Sequence, residues 1–119
     1  MNGSGGLLDA SLSRFVDAHV RSLIGWEITL FFHKRPEAVL DVPALARRLG
    51  RREDDIAEDV DSLCRSEILS CHGGLVRFAA GGDVGRDVER FADACSDRAM
   101  RMALVAQVLE RIDRGYRSN

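Results

Sequence analysis

Apolar residues along most of this chain fall at helical spacing. From Leu7 to Ile24, Leu8, Leu12, Phe15, Val16, Val20, Leu23 and Ile24 recur every three or four positions, which predicts one amphipathic helix interrupted by Gly25. Trp26 to Lys34 is short and densely apolar, as expected of a helix buried on most sides. Pro36 ends it, because the residue before a proline is steered away from helical angles. Asp41 then stands as an N-cap, with Pro43 in the first turn, Leu45, Ala46 and Leu49 on the inner face, and Gly50 supplying a left-handed terminus. The next helix is expected from about Glu53 to Ser66. Ile56, Val60 and Leu63 point inward, and Asp54, Glu58, Asp61 and Arg65 lie on the opposite face. Two short β-prone runs, Ile68 to His72 and Leu75 to Ala79, flank Gly73-Gly74 and predict a hairpin with a primed turn. After the hinge Gly81-Gly82, with Asp83 as cap, a final helix is expected to run to about Arg114. Val84, Val88, Phe91, Cys95, Ala99, Met102, Val105, Leu109 and Ile112 form its stripe, and its length would be roughly 45 Å.

The predicted fold class is mainly α with a small β-hairpin. At 119 residues the chain suffices for one core, so residues 7–119 are read as one domain, with 1–6 as a flexible lead-in. The composition, 45% apolar and 30% charged, is that of a globular protein and not a disordered one. No apolar run reaches the roughly 18 to 20 residues that a membrane span requires, and no basic stretch leads into an apolar one at the start, so a cytoplasmic, non-secreted protein is expected. Three cysteines at irregular spacing (Cys64, Cys71, Cys95) fit reduced thiols better than a disulfide framework. A net charge of -2 gives no bulk attraction to nucleic acid, so any such contact needs a local patch.

The segment Asp41-Val-Pro-Ala-Leu-Ala-Arg-Arg-Leu-Gly50, followed by Ile56, Val60, Leu63 and Ile68-Leu69, resembles the MarR-like and ArsR-like winged helix-turn-helix regulators of bacteria. The resemblance covers about half of the chain. It implies a winged-helix core at 26–80 with flanking helices at 7–24 and 84–114, and a second helix that would face the DNA major groove. Glu67 departs from the pattern, since such regulators usually place the glycine that closes the recognition helix there.

Charge conflicts with the implied role. Arg47, Arg48, Arg51 and Arg52 crowd the turn, and with Arg77 of the wing they are the candidate DNA contacts. Six carboxylates (Glu53, Asp54, Asp55, Glu58, Asp59, Asp61) then follow within nine residues, where a base-reading helix would present donors. Glu53, Asp54 and Asp55 suit the positive end of a helix, and Asp61 can pair with Arg65 four positions on. Glu58 and Asp59 have no such account. The competing reading makes Asp54, Glu58 and Asp61 the binding face for a basic protein partner. The wing is tight and offers only His72 and Arg77.

Other chemistry has less support. Metal-sensing relatives make Cys64, Cys71, His72, Cys95 and His33 worth weighing, but Cys71-His72 is not a chelating pair and no Cys-x-x-Cys occurs, so no metal or cofactor is expected. Trp26, Phe31 and Phe32 read as core. No activated serine, phosphate-binding glycine loop or paired acids suggests catalysis, so the chain is read as a non-enzyme. The terminal helices either fold back on their own domain or share their stripes in a homodimer, the expected state. The function expected is that of a regulator-like binding protein, with a protein-binding module that does not use DNA as the alternative.

Overall fold

The computed structural model describes residues 10–117. The lead-in at 1–6 and the first positions of the expected N-terminal helix lie outside them. Helix α1 (Ala10–His19) and helix α2 (Leu23–Lys34) divide the apolar stretch that its spacing reads as one helix. The break falls at 20–22, not at Gly25. Ser22 takes an extended conformation and its hydroxyl accepts the Gly25 N–H at 3.0 Å, starting a new helix whose first turn contains Gly25.

Strand β1 (Val39–Asp41) leads into helix α3 (Val42–Leu49), which Asp41 caps by accepting the Ala44 N–H at 2.8 Å. Gly50 (φ 67°) closes α3 in the left-handed region, with Arg51 N–H bonded to Ala46 O, and the chain turns into helix α4 (Glu53–Arg65). At the far end of α4 the same motif recurs without glycine. Glu67 stands at φ 66°, its N–H meeting Cys64 O and the Ile68 N–H meeting Leu63 O. The departure noted in the sequence is therefore a conformational cost that a glycine would avoid.

Strands β2 (Leu69–His72) and β3 (Leu75–Phe78) form the expected hairpin, with Gly73 and Gly74 both at positive φ as a primed turn demands. The sheet has a third strand that the pattern did not predict. β1 pairs antiparallel with β3 on the side away from β2, setting Val39 opposite Arg77. Three residues are too few to show alternation. The order helix, helix-turn-helix, wing is thus a helix-rich fold with a small β wing, as predicted.

The single long C-terminal helix does not form. Helix α5 (Gly82–Cys95) stops where the Ser96 hydroxyl donates to Asp93 O at 2.6 Å, and Asp97 then accepts the Met100 N–H at 3.3 Å at the start of helix α6 (Arg98–Arg117). The N-cap of α5 is Gly81, which makes no side-chain bond. Asp83, expected as that cap, instead pairs with Arg86. α6 packs back on α1. Leu104 and Val108 are buried, and Gln107 Nε2 donates to Ser13 O and to Asp17 Oδ1, both at 2.9 Å. Arg111 bonds Val16 O at 3.2 Å and Val20 O, satisfying carbonyls at the end of α1. So the terminal helices fold onto their own domain, and of the expected stripe Ala99, Met102, Leu109 and Ile112 stay exposed.

The core joins these elements around Phe91 of α5, which meets Trp26 edge-on at 4.9 Å and Phe15 at 5.6 Å. Trp26, Phe31 and Phe32 are buried, as their spacing predicted. Ile56, Val60 and Leu63 hold α4 against the rest and so determine which of its residues can face outward.

Candidate functional site

The two capping motifs of the helix-turn-helix set where the arginines go. Arg47, Arg51 and Arg52 gather around one shallow cavity with Pro43, Ala46, Glu53 and Asp54. Arg48, one position further along α3, turns away, and its guanidinium lies 5.8 Å from the Phe31 ring that Arg35 also covers at 4.7 Å. Arg77 stands exposed on the sheet, opposite Val39 and Ser70. Of the five candidate DNA contacts, the fold brings three together and leaves Arg48 and Arg77 elsewhere.

Within that group the arginines differ in availability. Arg51 is engaged by Glu27 of α2 through Nε to Oε1 at 3.3 Å and Nη2 to Oε2 at 2.7 Å, a two-point pairing that raises its pKa further. Arg47 and Arg52 are exposed and form no ion pair among the described residues. Arg52 is the N-cap of α4 but offers no side-chain acceptor to the helix. The positive end of α4 is met by Glu53, Asp54 and Asp55 in its first turn.

The two acids without an explanation find one in α2 and its lead-in. Asp59 is buried, 6% exposed, and accepts the Ser22 hydroxyl at 2.8 Å. Arg21 reaches both acids, with Nε 3.6 Å from Asp59 Oδ1 and Nη2 3.3 Å from Glu58 Oε1. Asp59 therefore belongs to the inner face of α4, three positions after Ile56 and four before Leu63, and takes no part in any outward surface. The signal was present in its phase and in Ser22, a good N-cap residue placed before Leu23-Ile24.

Asp54, Glu58 and Asp61 all stand exposed on α4, as their spacing implied. Asp61 does not pair with Arg65 as expected. Both instead line a second shallow cavity with Arg21 and Glu58. The surface of α4 is thus a mixed field in which Glu58 pairs with Arg21 and Asp61 forms no ion pair among the described residues.

The cysteine expectation is corrected outright. Cys64 of α4 and Cys71 of β2 form a disulfide, and only Cys95 is free. Seven positions apart, the pair meets because the tight turn at Glu67 folds β2 back along the end of α4.

The described helices include none long and apolar enough to cross a membrane. No family model, curated protein or solved structure matches the chain, so the resemblance to winged-helix regulators stands on the residues named above.

Proposed function

We propose that this chain acts by macromolecular binding, as a winged-helix module of the transcription-regulator type. One observation carries the reading: the fold gathers Arg47 and Arg52, neither in an ion pair among the described residues, at the turn that opens α4. That placement supports contact with the phosphates of duplex DNA, with Arg77 of the wing as a further contact. Arg51 contributes less because Glu27 holds it. The exposed carboxylates of α4 oppose base reading, so binding on this proposal is salt-sensitive and poor in sequence discrimination.

A second reading has its own observation. Asp61 is exposed and without an ion pair among the described residues, beside Asp54 and Glu58 on one face of α4, a surface suited to a basic protein partner. Replacing Glu58 and Asp61 with lysine together separates the two readings. The first expects tighter retention on nonspecific duplex DNA, and the second expects unchanged DNA behaviour with loss of the protein partner.

The proposal includes a homodimer in the cytoplasm. Met102, Leu109 and Ile112 leave an apolar edge of α6 in water at 61%, 48% and 44% exposure, and a second copy would cover it. Sedimentation across a concentration series should show a dimer, and monomer at every concentration would contradict it.

A further inference from the structure

The Cys64–Cys71 bond joins two elements that are anchored unequally. Cys64 lies in the last turn of α4 and Cys71 in β2, an edge strand, with their Cα atoms 6.2 Å apart. The base of the wing is held without the bond. Ile68 and Leu69 are buried, the Ile68 N–H meets Leu63 O at 3.1 Å, and the Ala79 N–H meets Ile68 O at 2.9 Å. From 71 to 77 only Val76 is buried, so beyond its pairing with β3 the tip of β2 is tied to the body of the protein chiefly through Cys71.

Cys71 is exposed and Cys64 only partly buried. Cys95 provides a contrast within the same chain, since burial pushes its thiol up to about 11 and keeps it protonated and inert near neutral pH.

We propose that Cys64 and Cys71 are a reversible thiol–disulfide site whose state fixes or frees the tip of the wing. The co-reactant is a small thiol with its disulfide. In reduction, a small thiolate attacks the sulfur of Cys71, the more exposed residue of the pair, the bond between the two cysteines breaks, and Cys64 leaves as a thiolate that takes a proton. A second small thiolate attacks the mixed disulfide and releases Cys71 in the same way. Two electrons pass to the protein, and the products are two protein thiols and one small disulfide. Oxidation runs the same steps backwards. With the core contacts at Ile68 and Leu69 intact, reduction loosens the wing without unfolding the domain. The inference stands apart from what the module binds.

The test equilibrates the folded full-length chain in glutathione buffers of graded reduced-to-oxidised ratio, traps free thiols by alkylation, and maps them by mass spectrometry. Cys64 and Cys71 should become labelled together as the buffer turns reducing, with Cys95 unlabelled and the helical circular dichroism unchanged. Amide hydrogen exchange at 70–77 should rise several-fold in the reduced form. A variant carrying Cys64→Ser and Cys71→Ser should show the faster exchange in every buffer. Labelling of the pair only after denaturation, or equal exchange at 70–77 in both forms, would overturn the proposal.

Discussion

Ser22 donates its hydroxyl to Asp59 at 2.8 Å while the same oxygen accepts the Gly25 N–H at 3.0 Å, so a carboxylate of α4 orients the cap that starts α2. With Arg21 beside it, the arrangement locks the outer part of the helix-turn-helix to the helix behind it. The acidity of α4 thus has two origins. Part of it builds the domain, and part of it faces outward.

The cap and the acid should be coupled. Ser22→Ala is expected to cost about 1 kcal/mol by loss of a helix cap, and Asp59→Ala about 2 kcal/mol by leaving the Ser22 hydroxyl without its acceptor and Arg21 with Glu58 alone. The double variant should cost about 1 kcal/mol less than the sum. Urea unfolding of the four proteins measures this, and strict additivity would show that the two residues act separately.

Gly25 gives a sign test of the same cluster. Alanine in place of a helical glycine usually stabilises by about 1 kcal/mol. Here a Cβ would sit 3.2 Å from Asp59 Oδ1, an atom that Ser22 and Arg21 hold in place. Gly25→Ala should therefore destabilise the protein, and should turn neutral or stabilising when Asp59→Ala is also present. Stabilisation by Gly25→Ala alone would be inconsistent with a fixed carboxylate.

Glu67 holds a left-handed conformation that glycine adopts without strain. Glu67→Gly is expected to raise stability by about 1 kcal/mol, read as a higher denaturant midpoint at unchanged slope. A lower midpoint would mean that the Glu67 side chain contributes more than its backbone costs.

His19 introduces a pH dependence. Burial lowers its pKa, with Asp87 opposing, and its Nδ1 is buried without a hydrogen-bond partner among the described residues. The unfolded chain then binds a proton near pH 6.5 that the folded chain refuses. Its neutral form contributes full stability above that pH, and the contribution falls as pH drops below it. His19→Leu should flatten the decline in thermal midpoint between pH 7 and pH 5. An equal decline in both proteins would assign the effect to other groups.

Much of this fold was legible because its signals are local. The Asp41 cap, Gly50, the inner face of α4 and the Gly73-Gly74 turn each depend on a few neighbouring residues. The helix breaks at 20–22 and 96–97 were hidden because apolar spacing continues across them, while the cause lies in Ser22, Ser96 and Asp97, ordinary polar residues whose capping role the stripe masks. β1 owes its pairing to β3, far along the chain, and so left no alternation to read. The candidate site was read less completely for the same reason. Which arginine is free depends on Glu27 and Phe31, contacts that no spacing within residues 47–61 reveals.

On the proposed function, Arg47 and Arg52 meet phosphate. The direct measurement is the affinity of the protein for nonspecific duplex DNA as a function of salt, with and without Arg47→Ala and Arg52→Ala together. Binding should be measurable near 50 mM salt, and the double variant should weaken it and reduce the slope of log affinity against log salt by roughly 2. No binding at low salt, or an unchanged slope in the variant, would contradict phosphate contact by these two arginines.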